Sequence, residues 1–272
     1  MQKAEYRISN LYIYPIKSLG GISLTEAQVQ DRGLAFDRRW MLVDENGGFL
    51  TQRKFAQMAL LQVQLQADGL LVTHKQNLLQ PLFIPFTQQI GKDITVTIWD
   101  DTCVAKEVDE SITEWFTKAL GMFARLVQMP QTTNRLVDPD YAFDAEVVSF
   151  ADAYPFLIIG EESLNYLNSK LEQAIPMDRF RPNIVFSGGQ PHDEDTWDTF
   201  TIGETNFRAA KPCARCVLTT IDQQTAIKSA EPLKTLATYR TQNNKVLFGQ
   251  NLVHTGNGTL RVGDTLMITQ WK

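Results

Sequence analysis

Two of the three cysteines in the sequence lie close together, as Cys213 and Cys216. The thiolate form of cysteine attacks electrophiles and binds soft metals, and cations stabilise its negative charge. Lys211 and Arg215 supply such cations beside the pair. The same two cysteines are also compatible with a purely structural role. The motif therefore indicates a candidate functional cysteine without defining its chemistry.

Two ordinary roles of a C-x-x-C motif find little support in the rest of the sequence. A zinc site needs about four ligands. The further candidates are Cys103 and three scattered histidines without paired spacing: His74, His192 and His254. A thioredoxin-like pair begins a helix, whereas the β-branched run 217–221 after Cys216 predicts a strand. Neither a zinc site nor a thioredoxin-like pair is favoured.

Two clusters in the first forty residues carry basic groups that suit an anionic ligand. Lys17 and Ser18 end the first predicted strand near glycines, where side-chain and backbone donors together can hold an anion. The alternative is an ordinary turn with an exposed lysine. Arg38 follows Asp37, and its planar guanidinium suits two-point binding of a phosphate. The alternative there is a surface ion pair.

A third basic cluster begins an apolar strand in the second half of the chain. Arg179, Arg181 and Asn183 lie at the start of the predicted strand 180–186. Polar donors at the end of a buried strand often form a binding site on a rigid framework, and a structural role is the alternative. The acidic run 193–195 predicts a solvated loop rather than a cation site.

The pattern of elements predicts a mainly β fold with short helices, of the α+β class. Short β-rich segments at regular spacing are typical of a twisted antiparallel sheet or a barrel. The first clear helix is predicted over 111–120, with Ser111 as its N-cap, Glu114 as the capping-box partner and Gly121 after its end. A polar segment over 129–143 contains two prolines and is the predicted seam between two domains.

Length, charge and cysteine content limit the classes of function. The 272 residues, 43% of them hydrophobic, are enough for one large domain or two small ones. A net charge of −5 disfavours nucleic-acid binding, which needs a broad basic surface. No signal peptide and no run of roughly 18 apolar residues is evident. Three cysteines, an odd number, favour a reducing compartment. We therefore expect a soluble, cytoplasmic protein that binds neither nucleic acid nor membrane.

Taken together, the motifs resemble the MOSC superfamily, the domain shared by molybdenum-cofactor sulfurases and their relatives. The chain is similar to the branch with an additional N-terminal β-barrel domain, which includes the mitochondrial amidoxime reducing component and the YcbX-like proteins. The matching motifs span nearly the whole chain in the family's order: 14–18 with Gly20, 33–34, 37–43, 50–53, 150–155, 163–164, 179–185, 194–197, 213–216 with 219–220, and 248–250.

The resemblance implies two domains and a cofactor. A MOSC N-terminal β-barrel-like domain is expected over 1–128 and a MOSC β-barrel domain over 129–272, with the N-terminal strand contributing to the cofactor pocket. The cofactor is a molybdenum ion held by a pyranopterin dithiolene and by one protein cysteine. Position in the motif assigns the metal-binding and catalytic role to Cys216 rather than Cys213, and a soft thiolate suits this role.

The resemblance also implies a set of residues that bind the cofactor. Six positions match family residues that contact its phosphate or pterin, and one more faces the pocket in the family. The six are Lys17, Ser18, Arg38, Arg181, Asn183 and Arg215, and the seventh is Asp152. The lysine turn and the first arginine cluster are then parts of one anion pocket.

For activity, the resemblance implies an oxidoreductase that reduces N-hydroxylated compounds such as amidoximes, hydroxylamines and N-hydroxylated bases. The second thiol, Cys213, leaves open a carrier of cofactor or sulfur for other molybdoenzymes. A zinc or redox protein that uses the C-x-x-C motif is a third hypothesis.

Electrons for such a reductase are expected from another protein. Some YcbX-like proteins carry a C-terminal [2Fe–2S] ferredoxin domain, whereas this sequence ends at Lys272, just after its last predicted strand, and holds no ferredoxin-like cysteine cluster. We therefore expect no internal iron–sulfur cluster. The expected donor is a ferredoxin, a flavodoxin, or a cytochrome b5-like protein with a reductase.

Overall fold

The computed structural model describes residues 5–76, 78–86 and 91–272. Its helices are α1 (Glu110–Leu120), α2 (Glu161–Asn168) and α3 (Leu233–Ala237). Its strands are β1 Tyr6–Ile13, β2 Ile22–Leu24, β3 Glu26–Gln30, β4 Gly33–Leu34, β5 Trp40–Val43, β6 Leu61–Leu65, β7 Gly69–His74, β8 Leu82–Pro85, β9 Asp93–Ile98, β10 Asp101–Glu107, β11 Arg125–Gln128, β12 Phe156–Gly160, β13 Ile184–Ser187, β14 Trp197–Ile202, β15 Thr205–Ala214, β16 Thr241–Gln242, β17 Lys245–Thr255, β18 Gly258–Arg261 and β19 Thr265–Trp271. The prediction of a mainly β fold with short helices is confirmed. Within the described ranges, no helix is both long enough and apolar enough to cross a membrane.

Seven strands form a closed barrel. Their order is β12-β13-β1-β19-β14-β15-β17, and β17 pairs with β12 to close the ring. β1 lies between β13 and β19 and is antiparallel to both. Tyr6, Ile8 and Leu11 of β1 are buried in the same apolar core as Phe186 and Trp197. The first strand of the chain therefore completes a barrel whose other strands follow residue 155. A strand from the predicted first domain, 1–128, is thus part of a barrel formed by the second half of the chain, and the division at 128/129 stays a prediction.

An open half-barrel accompanies the closed barrel. β2 and β16 pair with β1 and β17 of the large sheet, and the other ten strands of the described residues form three smaller sheets. Their strand orders are β5-β11-β10-β9, β6-β7-β8 and β18-β3-β4. α1 covers one side of this part, where Ile112, Phe116 and Leu120 pack against apolar residues such as Leu42 and Leu126. The apolar face of the helix thus has a sheet to pack on, which a short helix needs for stability.

The predicted N-cap of α1 is wrong by two residues. The helix begins at Glu110, and the cap is Asp109, whose carboxylate accepts a hydrogen bond from the Ser111 backbone N–H at 2.8 Å. Aspartate is at least as good an N-cap as serine, so residue type alone does not favour Ser111 over Asp109. The predicted end is confirmed, since Gly121 has a left-handed φ of 68°.

The segment that follows Cys216 is a 3₁₀ helix over Val217–Thr220, and the prediction of a strand there is wrong. The Thr219 hydroxyl donates to the Cys216 carbonyl at 3.0 Å, and the Thr220 hydroxyl donates to the Val217 carbonyl at 2.7 Å. These local bonds favour a helical turn over a strand despite the β-branched side chains. Cys216 consequently lies at a corner, between the end of β15 and this turn.

The acidic run 193–195 is a short 3₁₀ helix, and the prediction of a solvated loop is wrong for its central residue. Glu194 is fully buried. The Ser163 hydroxyl contacts both of its carboxylate oxygens, at 2.8 and 2.9 Å, and the Gly160 N–H donates to it at 3.3 Å. These donors replace the water that an exposed carboxylate would bind, and they join the run to the first turn of α2.

Candidate functional site

One cavity, with a volume of about 140 Å³, brings the predicted site residues together. They come from the end of β1, the loops before β5, β12 and β13, and the chain after β15. All eight line this cavity: Lys17, Ser18, Arg38, Asp152, Arg181, Asn183, Arg215 and Cys216. The clustering fits one anion pocket, and the role of each residue toward a cofactor stays a prediction.

Three of these residues have a backbone conformation that is rare without glycine. The φ angles of Ser18, Arg38 and Arg181 are 66°, 48° and 54°. A left-handed conformation costs on the order of 1–3 kcal/mol for such residues, and it persists where the surrounding structure imposes it, often at functional sites. Here it bends the chain at three separate points around one cavity.

Tyr14 supports two of the arginines. The guanidinium carbon of Arg38 lies 4.3 Å from the centre of the Tyr14 ring, and that of Arg181 lies 4.1 Å from it. Asp37 is fully buried; it accepts a hydrogen bond from Arg38 at 2.6 Å and another from the Tyr14 backbone N–H at 2.8 Å. The alternative of a surface ion pair at Asp37 and Arg38 is therefore wrong. The pair holds one guanidinium in place at the cavity.

The Asn183 side chain is hydrogen-bonded to several chain segments next to the cavity. Its side-chain oxygen accepts hydrogen bonds from the Leu157 backbone N–H and from Arg38, both at 3.2 Å. Its amide nitrogen donates to the Tyr12 carbonyl at 3.3 Å. The residue is 2% exposed. These contacts tie three separate chain segments together and orient Arg38.

Lys17 is buried, so the alternative of an exposed lysine in a plain turn is wrong. Its ammonium donates to the Phe150 carbonyl at 2.7 Å and to the Asp152 carboxylate at 2.6 Å. Burial lowers the pKa of Lys17 to about 8, although Asp152 opposes this shift. Burial raises the pKa of Asp152, but the adjacent charges of Lys17 and Arg53 hold it well below its usual range. At neutral pH the pair is ionised.

Each cysteine of the C-x-x-C motif accepts a hydrogen bond from its own arginine. The Arg215 Nη1 lies 2.9 Å from the Cys213 sulfur, and the Arg53 Nε lies 3.1 Å from the Cys216 sulfur. Arg215 also donates to the Phe180 carbonyl at 2.6 Å. Both sulfurs belong to cavity-lining residues, and both are paired with a cation that stabilises a negatively charged sulfur.

Arg53 is the site residue that sequence reasoning missed. It belongs to the motif 50–53 that resembles the family, but the residues of this motif alone do not indicate a role in the site. It lines the cavity, and besides Cys216 it contacts Asp152 at 2.6 Å. Its position in a motif shared with the family was the available signal. Its distance of 163 residues from Cys216 hid the contact.

The donors that line the cavity fit an anionic cofactor with a soft metal. Arg181 Nη2 and Arg215 Nε are buried and, within the described residues, have no hydrogen-bond partner. Buried polar groups without partners are rare in proteins, and these two lie beside a cavity that also presents the Cys216 thiol. Phosphate oxygens would pair with the guanidinium groups, and the thiol is a suitable ligand for a soft metal.

Comparison with known proteins agrees with this chemistry. The MOSC N-terminal beta barrel domain matches residues 5–123, and the MOSC domain matches residues 145–267. The chain is 32% identical to human mitochondrial amidoxime-reducing component 1, over 96% of this chain and 82% of that protein. It is 34% identical to the rat mitochondrial amidoxime reducing component 2, over 94% of this chain and 81% of that protein.

A second group of relatives is much longer. The molybdenum cofactor sulfurase of Arabidopsis thaliana is 33% identical, over 89% of this chain but only 32% of the sulfurase. Both groups of relatives align with most of this chain at similar identity, so identity alone does not choose between their activities. The predicted family is confirmed: the chain belongs to the MOSC family, with an N-terminal MOSC beta barrel domain ahead of its MOSC domain.

Proposed function

We propose that the protein is a molybdenum-cofactor-dependent oxidoreductase that reduces N-hydroxylated compounds. The observation that carries the proposal is the cavity that Cys216 lines together with two guanidinium groups, each with a buried donor that has no partner in the described part of the chain. Similarity to amidoxime-reducing components over most of both chains supports the choice of substrate. The net reaction adds two electrons and two protons to an N–OH group and yields N–H and water.

The protein residues would bind and orient the cofactor. Cys216 supplies a thiolate ligand to molybdenum, and Arg181 and Arg215 pair their free donors with the anionic part of the cofactor. Lys17 and Arg38 add positive charge, and Ser18 lies at the strained turn beside them. When bound, the cofactor supplies two-electron chemistry at the metal.

Lys17 is the group that can hold a proton inside the cavity. With a pKa of about 8, lowered by burial, its ammonium is mostly protonated at neutral pH and loses its proton more readily than an exposed lysine. Asp152 keeps the Lys17 nitrogen in one position through the 2.6 Å contact. Electrons are proposed to come from a separate donor protein, a ferredoxin, a flavodoxin or a cytochrome b5-like protein with its reductase.

The test combines elemental analysis with an activity measurement. The chain is expressed in a host that makes molybdenum cofactor, and metal content is measured before benzamidoxime reduction with a chemically reduced viologen. We expect molybdenum near one per chain, turnover of benzamidoxime, and loss of both in Cys216→Ala. Full molybdenum content without turnover would contradict the reductase, and zinc in place of molybdenum would contradict the cofactor.

A second candidate function rests on Cys213. The residue lines the same cavity, and its sulfur accepts a hydrogen bond from Arg215 at 2.9 Å, which suits a second reactive thiol. The chain could then carry cofactor or sulfur for other molybdoenzymes, as the sulfurase relatives suggest. A persulfide on Cys213 or Cys216 in the mass spectrum would favour the carrier. A Cys213→Ala variant with full reductase activity would argue against it.

A further inference from the structure

Arg53 connects the proposed metal ligand to the rim of the cavity. Its Nε donates to the Cys216 sulfur at 3.1 Å, and its Nη2 donates to the Asp152 carboxylate at 2.6 Å. The two bonds leave from different nitrogens of one planar group, so the guanidinium is held in a single plane. Its side chain is 17% exposed, so most of it is shielded from solvent.

The Trp99 ring packs against the same guanidinium. The Arg53 guanidinium carbon lies 4.7 Å from the centre of the Trp99 ring, and the indole N–H donates to Asp152 at 3.3 Å. Phe49 packs edge-on against the indole with the ring centres 5.1 Å apart. The tryptophan is 48% exposed and has a left-handed φ of 55°, which is unusual for a bulky residue. A strained, half-exposed tryptophan that contacts both partners of an ion pair indicates a positioned group rather than a packing residue.

We propose that Arg53 is a positioning residue for Cys216, and that it sets the electron density on the metal-bound sulfur with Asp152 and Trp99 holding it in place. The proposal rests on the proposed function, since it concerns Cys216 as a molybdenum ligand. A charged hydrogen-bond donor withdraws electron density from a ligating sulfur. Hydrogen bonds to ligating sulfurs are one of the means by which proteins adjust the reduction potential of a metal site.

Arginine suits this position better than lysine. Only a planar fork can donate to a sulfur through Nε and to a carboxylate through Nη2 while its face lies over an indole ring. A lysine ammonium would keep the positive charge, but all three of its donors leave from a single nitrogen and it has no planar face to lie over the indole. The geometry therefore predicts that the effect of residue 53 on Cys216 depends on the shape of the guanidinium as well as on its charge.

The test measures molybdenum retention and the molybdenum midpoint potential in the loaded protein, both without substrate. We expect Arg53→Met to shift the potential to more negative values, because the sulfur loses a cationic donor and the reduced metal becomes less stable. Retention of molybdenum during dialysis should fall by about 10- to 100-fold, the usual effect of removing a partner of a metal ligand. Arg53→Lys should recover part of the shift, and Trp99→Phe should produce a smaller shift in the same direction.

The matched control is Arg208→Met. Arg208 lies over the Phe143 ring at 4.1 Å and pairs with Asp198 at 3.5 Å, so it has the same types of contact away from Cys216. An unchanged potential in both Arg53 variants, or an equal shift in Arg208→Met, would overturn the inference. If Arg53→Met does not fold, Arg53→Lys and Trp99→Phe decide it by the same measurement.

The potential also separates this inference from the proposed function. A loaded protein that does not reduce benzamidoxime contradicts the reductase, and the shift in potential still decides the role of Arg53. A wild-type protein that holds no molybdenum overturns the inference together with the cofactor.

Discussion

The arginines of the cavity fall into two pairs with different contacts. Arg53 and Arg215 each donate to a cysteine sulfur. Arg38 and Arg181 lie over the ring of Tyr14 and have left-handed backbone conformations. Since a guanidinium can donate in its plane and pack with its face, one residue type serves both purposes. The first pair is suited to the cysteine side of the site. Arg181 of the second pair and Arg215 of the first each keep a buried donor that, within the described residues, is free for an anionic group.

Lys17 should make anion binding by the cofactor-free protein dependent on pH. Burial lowers its pKa to about 8, so it loses its charge between pH 7 and 9, well before an exposed lysine does. We expect the affinity for sulfate, whose charge is constant over this range, to fall several-fold from pH 7 to pH 9 in titration calorimetry. Lys17→Met should bind weakly at both pH values. The control is Lys234→Met, at an exposed lysine in α3. An identical pH dependence in wild type and Lys17→Met would contradict the prediction.

Asn183 should matter for stability even without a cofactor. Asn183→Ala removes the acceptor of the buried Leu157 N–H and the amide donor to Tyr12. A buried polar group without its partner costs about 1–3 kcal/mol, and we expect the free energy of unfolding in urea to fall by about this amount. Asn165→Ala, on the exposed face of α2, should change it by less than about 0.5 kcal/mol. Equal effects of the two substitutions would show that the Asn183 contacts add no stability.

At the scale of elements, short turns rather than strands place the reactive groups. Cys216 precedes a 3₁₀ helix, and Ser18, Arg38 and Arg181 occupy left-handed corners. Three of these corners adjoin the barrel strands β1, β13 and β15, which are hydrogen-bonded to a neighbouring strand on both sides, whereas Arg38 precedes β5 of a smaller sheet. Rigid strands with functional residues at their ends are a common arrangement in binding sites.

The contact between Glu194 and α2 should make the free energy of unfolding depend on pH. Burial raises the pKa of Glu194 from 4.5 to about 7, although hydrogen bonds from Ser163 and Gly160 oppose the shift. The folded protein therefore binds a proton that the unfolded chain releases between these values. Its stability should fall as the pH rises from about 4.5 to about 7, by on the order of 3 kcal/mol.

Urea unfolding at pH 5 and pH 7.5 measures this effect. Glu194→Gln keeps an acceptor for Ser163 but does not titrate, so its stability should differ less between the two pH values than that of wild type. Glu204→Gln, at an exposed carboxylate, is the control and should retain the wild-type difference. A wild-type difference that persists in Glu194→Gln would assign the pH dependence to other groups.

At the scale of the whole molecule, the two halves of the chain share a barrel. β1 fills the gap between β13 and β19, and β18 pairs with β3. The same β1 leads directly to Lys17 and Ser18, so barrel closure and assembly of the cavity depend on one strand. Cofactor binding should accordingly require residues from both halves of the chain.

A fragment of residues 129–272 should therefore not fold by itself. Without β1, β13 and β19 would each expose an unpaired edge to other molecules, which promotes aggregation. We expect the fragment to be insoluble, or to lack a dispersed NMR spectrum, and to gain order when a peptide of residues 5–14 is added. A well-dispersed spectrum of the fragment alone would contradict this prediction.

The class of fold, the family and a set of candidate site residues could be predicted from local patterns of residues. Motifs such as 14–18 and 213–216 are continuous, and each carries its chemistry in a few adjacent side chains. Alternating apolar residues likewise indicate strands, because the side-chain period of a strand is local. The end of α1 at Gly121 was predictable for the same reason, since a left-handed end favours glycine.

Which of these groups are in contact became visible only in the folded chain. The Arg53–Cys216 contact, the burial of Glu194 and the place of β1 in the barrel all join residues distant in sequence. The β-branched residues after Cys216 predict a strand, but the chain forms a 3₁₀ helix there because the threonine hydroxyls bond to nearby carbonyls. Burial and contact depend on what the rest of the chain places nearby, and no local pattern of residues contains that information.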